Sequence, residues 1–311
     1  MFYLILLSFA VSIFLMPLLK RISLKYRLYD EPGQDRLKIH PKPISYLGGV
    51  GMFVSFSLAI IVGIILNGIA LAYGLGILLA GAIIIVLGLV DDWKWKKGES
   101  RPLLKLLWQM LSTLAVILIL IKVGVAFNFA ASPILGAIIA SFYIVGAMNS
   151  MNMEDGMDGL AGGISIISLI GFVVISSIAQ NSAVTLLSIV LMGSILGFLV
   201  YNWHPATIFM GDNGSHFLGF SLAMLAVLIS SDPLIHPGRF FGPILIIGLP
   251  IIDTAFAIAR RAINKKPIFM GDRSHLYDIV HKHGFGIPAT VLICCVAQTI
   301  IVLGGILIFN S

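Results

Sequence analysis

The stretch 149–163 reads NSMNMEDGMDGLAGG and lies between two long apolar runs of the chain. Its polar side chains recur at every third residue, as Asn149, Asn152, Asp155 and Asp158. On a helical or 3₁₀ backbone this spacing places them on neighbouring faces, where they can meet at one cation or one diphosphate. Carboxylates beside a membrane core are costly unless a cation compensates them, so the stretch indicates a functional site rather than a polar turn with a helix cap.

The rest of the chain is unusually apolar for a protein of 311 residues. Hydrophobic residues make up 59% of it and charged residues 11%, and its mean hydropathy is +1.03. These values exclude a soluble protein and indicate many membrane spans. We therefore predict an all-α, polytopic integral membrane protein that forms a single transmembrane domain over residues 1–311. About ten transmembrane helices are expected, at 1–19, 46–67, 71–90, 106–123, 133–149, 160–179, 183–202, 216–231, 240–259 and 287–309.

The distribution of Lys and Arg predicts how these helices are oriented. Residues 20–45, 91–105 and 260–286 hold 7, 5 and 6 of the 20 basic residues, whereas only Lys122 and Arg239 lie on the other side. Because cytoplasmic loops are enriched in Lys and Arg, we expect these three loops in the cytoplasm and both termini outside it. The first apolar run has no basic residue before it, which favours a retained span over a signal peptide. The net charge of +6 follows from this bias and does not indicate nucleic-acid binding.

Further acidic residues lie at the ends of predicted spans. Asp91 and Asp92 follow the third span in GLVDDW, and Asp212 lies in YNWHPATIFMGDNGSHFLGF at 201–220. The glycines of the second motif leave backbone amides open to a phosphate group just before a helix begins. Asp253 is different because it lies inside the ninth predicted span, where a structural partner in the bundle is as good an explanation as a function.

Two basic loops complete the set of candidate residues. Lys42 lies in HPKPISYLGGVG at 40–51, where two X-Pro steps predict an extended entry into the second span and the glycines permit close helix contact. We expect Lys42 to contact an anionic substrate. In the last loop, Arg273 and His275 can donate hydrogen bonds to hydroxyl, acetamido or phosphate oxygens. The loop has no Cys and no His pair at ligand spacing, so a zinc site has little support.

The chemistry of these side chains favours a hard cation and a phosphate substrate. Carboxylate and amide oxygens suit Mg²⁺ or Mn²⁺, and Mg²⁺ is commonly held by one or two carboxylates together with substrate phosphates. Basic side chains and glycine-rich loops suit the phosphate itself. A metal, a diphosphate and a membrane-embedded cleft together predict phosphoryl transfer to or from a lipid, at a cleft on the cytoplasmic side.

The motifs GLVDD, NSMNMEDGMDGLAGG and YNWHPATIFMGDNGSHFLGF together resemble the polyprenyl-phosphate N-acetylhexosamine-1-phosphate transferase family, glycosyltransferase family 4. The resemblance covers residues 20–285 and is strongest to the branch that initiates O-antigen, enterobacterial common antigen and teichoic-acid synthesis. It implies that polyprenyl (undecaprenyl) phosphate attacks the sugar-bearing phosphorus of a UDP-N-acetylhexosamine, with GlcNAc as the expected sugar, and that UMP leaves. It also implies Mg²⁺, or Mn²⁺, as the cofactor and contact with the lipid bilayer. A homodimer is possible on this resemblance.

Motif position then implies a role for each candidate residue. Asp158 and Asp212 would hold Mg²⁺, while Asp91 would accept or position the lipid-phosphate proton with support from Asp92. Asn202 and Phe209 match positions that hold uracil. The predicted catalytic residues are Asp91, Asp92 and Asp155, the predicted metal ligands Asp158 and Asp212, and the predicted substrate contacts Lys42, Asn149, Asn152, Asn202, Phe209, Arg273 and His275.

Three alternatives stay open at this point. The branch usually reads His-x-His-His in its last loop, whereas residues 275–278 read HLYD, so the sugar could be phospho-N-acetylmuramoyl-pentapeptide or another N-acetyl sugar. The chemistry could be a double displacement through an aspartyl intermediate. An ion-coupled transporter or lipid flippase is the alternative of another class, but its acids should lie near the midplane, and here all but Asp253 lie at span ends.

Overall fold

The computed structural model describes residues 2–32, 42–66, 68–94, 102–122, 132–230, 234–267 and 273–311. Parts of the predicted basic loops 20–45 and 91–105 therefore lie outside the described residues. The described part is almost entirely helical, which confirms the all-α prediction. Its helices are α1 (Phe2–Tyr26), α2 (Gly48–Ile65), α3 (Leu71–Lys94), α4 (Pro102–Lys122), α5 (Pro133–Glu154), α6 (Leu160–Ile178), α7 (Ser182–Asn202), α8 (Gly211–Ile229), α9 (Pro237–Leu245), α10 (Gly248–Ile263), α11 (Leu276–Lys282) and α12 (Ile287–Phe309).

Nine of the described helices are long and apolar enough to cross a membrane, and the α9–α10 pair raises the number to ten if it counts as one span. This agrees with the predicted number of spans. Local sequence signals fix several of their starts. The Ser132 hydroxyl accepts a hydrogen bond from Leu135 N (3.2 Å) with Pro133 directly after it, and Asn181 Oδ1 accepts one from Val184 N (3.1 Å). Both are preferred N-cap arrangements, so α5 and α7 begin where their sequences specify.

Helix α8 lies at the centre of the bundle, packed against α2, α3 and α5. In α8, 83% of the membrane-span window is buried, compared with 28% in α1, α4 and α12. Glycines allow the neighbouring helices to approach its first turn. A Cβ atom added to Gly88 of α3 would lie 2.3 Å from Asn213 Cα, and one added to Gly49 of α2 would lie 2.3 Å from Gly214 Cα. The predicted close contact at the GGVG glycines is thus confirmed, and it brings α2 and α3 directly onto the GDNGS motif.

A short strand pair fixes the entry into α2. Strand β1 (Tyr29–Asp30) pairs antiparallel with β2 (Ile44–Ser45), which agrees with the extended chain expected from the X-Pro steps. The second strand also contacts the segment between α7 and α8, because Phe209 N donates to Ser45 O (2.7 Å). In addition, Gly48 N donates a hydrogen bond to Phe209 O (3.0 Å). The first loop and the GDNGS motif are therefore joined by backbone hydrogen bonds.

The ninth predicted span, residues 240–259, is not the continuous helix that the sequence suggests. It is broken into α9 and α10, which are bent by 77° relative to each other. The break follows from Pro250, which has no N–H to donate to Ile246 O four residues earlier. Gln298 of α12 supplies the missing partners, because its Nε2 donates to Ile246 O (2.7 Å) and its Oε1 accepts from Leu249 N (3.0 Å). A broken helix at membrane depth is tolerated when protein groups satisfy its backbone in this way.

Candidate functional site

Three titratable side chains meet where α3 ends and α8 begins. Asp91, Asp212 and His216 each offer a ligand atom, and these atoms all lie within 4.8 Å of one another. Asp91 and His216 are buried, with exposed fractions of 2% and 0%. Asp212 and His216 are four residues apart on α8, which places both on one face of that helix. His216 is not among the residues predicted from the sequence. Its spacing from Asp212 in GDNGSH was the signal that could have identified it.

Lys105 of α4 is a second residue that the sequence interpretation missed. Its Nζ lies 3.0 Å from Asp212 Oδ2 and 3.2 Å from Asp91 Oδ2, so one ammonium group bridges the two carboxylates. The sequence places Lys105 at the end of the basic loop 91–105. In the structure it lies on the first turn of a helix that begins at Pro102. An inward-facing Lys and Gln one turn apart, at 105 and 109, was the available signal.

The two asparagines of the NSMNMEDG motif reach this group, as their spacing predicted. Asn152 Nδ2 donates to Asp212 Oδ1 (2.9 Å) and to Ser215 Oγ (2.9 Å). Asn149 Nδ2 donates to Gln109 Oε1 (2.8 Å), and Gln109 Nε2 lies 3.3 Å from His216 Nε2. A chain of hydrogen bonds therefore connects α5, α4 and α8. Gln109 and His216 are fully buried, and hydrogen bonds in such a network restrict the orientation of its members.

Asp92 holds the first turn of α8 from the side. Its Oδ1 accepts a hydrogen bond from Asp212 N (3.1 Å), and its Oδ2 accepts from Asn213 N (3.1 Å) and Asn213 Nδ2 (2.7 Å). A carboxylate at a helix N-terminus satisfies amides that have no partner within the helix and interacts favourably with the helix dipole. Asp91 and Asp92 thus have different tasks. Asp91 faces the cluster, and Asp92 fixes the backbone that carries Asp212.

The Asp91–Asp212–His216 group has the properties of a cation site. Within the described residues, neither oxygen of Asp91 has a hydrogen bond in addition to the ion pair with Lys105, and His216 Nδ1 also lacks one. Buried polar atoms without partners are costly, and a bound cation would satisfy them. Two carboxylates with one imidazole suit a divalent metal. The described part of the chain could therefore hold a metal ion at this group.

Asp158 and Asn202 lie in a neighbouring cluster. Asp158 Oδ2 accepts from His204 Nδ1 (2.9 Å) and Ala206 N (3.0 Å), so it ties the DG loop to the segment after α7. Asn202 is buried, and it accepts from Gly159 N (3.0 Å) while donating to Ile208 O (2.9 Å). Both side chains thus order the loops in this structure. The metal role of Asp158 and the uracil contact of Asn202 stay predictions.

The remaining predicted residues differ in their exposure. Lys42 and Arg273 are exposed, whereas Asp155 and Phe209 are half-buried. Asp155 is the C-cap of α5, with its N–H donated to Met151 O (3.1 Å). The catalytic role of Asp155 and the substrate contacts of Lys42, Phe209 and Arg273 stay predictions.

The last loop departs from the expected sugar pocket at two positions. Tyr277 is buried, its hydroxyl donates to Met153 O (3.2 Å), and its ring fills the space that a side chain at Gly156 would need. Burial raises the pKa of Tyr277 above its usual value, and nearby carboxylates add to this, so the phenol stays neutral. Asp278 Oδ2 accepts from His275 N (3.3 Å) and caps α11, and burial raises its pKa. The two residues that replace His in this loop therefore fix the loop itself.

Comparison with known proteins finds one matching family and several similar transferases. Residues 74–230 match the family described as Glycosyl transferase family 4. A relative from Bacillus subtilis, "Probable undecaprenyl-phosphate N-acetylglucosaminyl 1-phosphate transferase", is 35% identical over 92% of this chain and 78% of its own length. "Decaprenyl-phosphate N-acetylglucosaminephosphotransferase" from Mycobacterium tuberculosis is 27% identical over 86% of this chain and 72% of its own. "Phospho-N-acetylmuramoyl-pentapeptide-transferase" from Staphylococcus carnosus is 28% identical over 74% of this chain and 77% of its own.

Proposed function

The chain belongs to glycosyl transferase family 4, and from this membership we propose that it transfers N-acetylglucosamine 1-phosphate from UDP-GlcNAc to polyprenyl phosphate and releases UMP. The relatives from Bacillus subtilis and Mycobacterium tuberculosis, whose names state transfer of this sugar phosphate, support the choice of GlcNAc. One structural observation carries the proposal. Two carboxylates, a lysine, a histidine and two asparagines from α3, α4, α5 and α8 converge at one end of a membrane-spanning bundle.

We assign the cation to the Asp91–Asp212–His216 group, with Mg²⁺ as the expected ion and Mn²⁺ as a substitute. When bound, it would neutralise the charge of the diphosphate and of the departing UMP. Asp158 bonds His204 and Ala206 and lies outside the group whose ligand atoms are within 4.8 Å of one another. For this reason we prefer a role in loop order for Asp158.

The chain's own residues bind and orient the two anionic substrates. An oxygen of the lipid phosphate forms a new bond to the sugar-bearing phosphorus, and the P–O bond to the departing UMP breaks. A phosphate monoester has a second pKa of about 6, so it is mostly deprotonated near neutral pH and needs no strong base. Lys105 supplies a fixed positive charge between Asp91 and Asp212, and Asn152 holds Asp212 at its other oxygen. Lys42 at the rim can draw in either phosphate.

We further propose that this end of the bundle faces the cytoplasm, where UDP-sugars are present. The support is the bias of Lys and Arg toward the loops at this end, at 20–45, 91–105 and 260–286. An even number of spans would then place both termini on the other side. The alternative class, an ion-coupled transporter, needs acids near the midplane. The acids of the cluster, buried Asp91 and half-buried Asp212, lie instead at the ends of α3 and α8.

The decisive experiment measures UMP release by the purified protein in detergent, with UDP-GlcNAc, polyprenyl phosphate and Mg²⁺. We expect UMP and a lipid diphosphate sugar to form in equal amounts, and no UMP when the lipid phosphate is omitted. UMP release without lipid would indicate hydrolysis and contradict the proposal. UDP-MurNAc-pentapeptide and UDP-GalNAc are the matched donors. A preference for either would keep the transfer chemistry and replace the sugar.

A further inference from the structure

A second buried pair of polar side chains lies away from the Asp91–Asp212–His216 group. Asp253 of α10 and His275, directly before α11, have exposed fractions of 8% and 4%. His275 Nδ1 lies 2.5 Å from Asp253 Oδ2, and Leu276 N donates to Asp253 Oδ1 at 2.9 Å. The sequence left the role of Asp253 open between function and structure. In the structure, Asp253 contacts the ring of His275, which the sequence predicts to bind the substrate.

The Asp253 carboxylate determines how the ring of His275 is presented. An ionised carboxylate only accepts hydrogen bonds, so Nδ1 carries the proton and Nε2 is left at the opposite edge of the ring. The ring also lies parallel to that of Tyr277, with an angle of 5° and centroids 5.7 Å apart. The contact with Asp253 thus favours the tautomer with the proton on Nδ1, and the two contacts together restrict the plane of the His275 ring. A histidine held by a carboxylate in this way offers its Nε2 edge in one defined direction.

The bond to the ring is more than an anchor for the loop. Within the described residues, the loop is also held by bonds from Leu276 N to Asp253, from His275 N to Asp278, from the Tyr277 hydroxyl to Met153 O and from Lys282 Nζ to Arg273 O. The bond at Nδ1 acts on the imidazole itself, which also takes part in the capping box at the start of α11. We propose that Asp253 is a positioning residue that orients His275 toward the sugar or the adjacent phosphate of the nucleotide donor, an inference that rests on the proposed function.

The break between α9 and α10 explains how an acid inside a predicted span can serve this purpose. The 77° bend redirects α10 after Leu245, and Asp253 follows five residues after its first residue, Gly248. Asp253 thereby contacts the loop that follows α10, although it lies in the middle of the apolar run at 240–259. The intramembrane acid and the broken helix thus have one common explanation.

Steady-state kinetics of Asp253→Asn test the proposal. A carboxamide has one oxygen instead of two, so it cannot accept from both Leu276 N and the His275 ring. Loss of a hydrogen bond to a charged group predicts a decrease of about 10- to 100-fold in kcat/KM for UDP-GlcNAc. The KM for polyprenyl phosphate and the inhibition constant of UMP should stay at wild-type values, because neither reports on the sugar side of the donor. Asp253→Glu keeps the carboxylate and should recover part of the activity.

A double-mutant cycle separates positioning from a purely structural role. If Asp253 acts through His275, then Asp253→Asn causes no further loss in a His275→Ala background. The matched control is Thr254→Val, which changes the next residue of α10. Within the described residues, the hydroxyl of Thr254 contacts Met153 Sδ (3.7 Å). This variant should keep wild-type kinetics. Multiplicative losses in the double mutant, or wild-type kcat/KM in Asp253→Asn, would overturn the proposal.

A spectroscopic measurement tests the pair without relying on activity. In ¹⁵N-histidine-labelled protein, the resonances that disappear in His275→Gln should show a proton on Nδ1 in the wild type. An Nε2-protonated ring at His275 would refute the pairing with Asp253. Absence of transfer with every donor would instead refute the proposed function, while the spectrum would still decide whether Asp253 orients His275. The spectrum of the wild type also decides the matter if Asp253→Asn does not fold.

Discussion

Replacement of Gln298 by leucine tests how the broken span is held. Gln298 is fully buried in α12, and its amide bonds Ile246 O, Leu249 N and Ser168 Oγ at 2.7, 3.0 and 2.8 Å. Leucine has a similar volume but forms none of these bonds. The two backbone groups would lose their partners at a depth where no water replaces them. At about 1–3 kcal/mol for each unsatisfied buried group, the variant should lose about 2–6 kcal/mol of stability.

The assay is thermal unfolding in detergent, followed by the loss of the monodisperse peak in size-exclusion chromatography. A loss of about 2 kcal/mol or more should lower Tm by about 4 °C or more. The control is Thr299→Val, because this exposed neighbour bonds only Cys295 O of its own helix (2.8 Å) and should change stability by less than about 0.5 kcal/mol. Adding Pro250→Ala restores an N–H for Ile246 O and should recover part of the loss. Equal Tm values for Gln298→Leu and the control would refute this account of the break.

Three further predictions follow from the same structure. Asp212→Ala should abolish UMP release without unfolding the protein, and a chelator should do the same until Mg²⁺ or Mn²⁺ is restored; full activity in the variant would remove Asp212 from the site. Gly88→Ala places a Cβ atom 2.3 Å from the backbone of α8 and should cost about 1–3 kcal/mol in the unfolding assay, whereas Gly146→Ala, with no atom within 4 Å, should not destabilise. In a chain without its two native cysteines, Lys265→Cys should react only with cytoplasmic maleimide and Leu234→Cys only with external maleimide; the reverse labelling would place the cluster on the outer side.

Much of the site was accessible from the sequence because its residues lie in local motifs. The period of three predicted that Asn149, Asn152, Asp155 and Asp158 would meet at one site. Asn152 does bond Asp212, whereas Asp158 bonds His204 and Ala206. The GDNGS motif indicated a nearby helix start, but the span was expected from residue 216, after the glycines, whereas α8 already begins at Gly211. Each of these signals depends on residues within one or two helical turns. Local spacing determines which side chains share a helix face, so such groups could be predicted.

Apart from His216, which lies one turn after Asp212, the missed features depend on residues that are distant in the sequence. Lys105 meets Asp212 from 107 positions away, and Asp92 caps α8 from 120 positions before Asp212. Gln298 holds a break about 50 positions earlier in the chain. Hydropathy describes residues 240–259 as one apolar run. It does not show that Pro250 leaves the carbonyl of Ile246 without a partner in its own helix, or that the side-chain amide of Gln298 bonds it.

The sequence by itself determined the number of spans, their approximate positions and the chemical class of the site. The bilayer requires about 20 apolar residues for each helix, and hard-oxygen ligands favour a hard cation, so both follow from composition and spacing. The tertiary structure alone decided which polar groups share the cluster and which serve as supports. That division depends on how closely α2 and α3 approach α8, a distance set by packing at Gly49 and Gly88. Asp91 faces the cluster, whereas Asp92 faces the first turn of α8. The two differ because adjacent side chains on the closely packed helix α3 point in different directions.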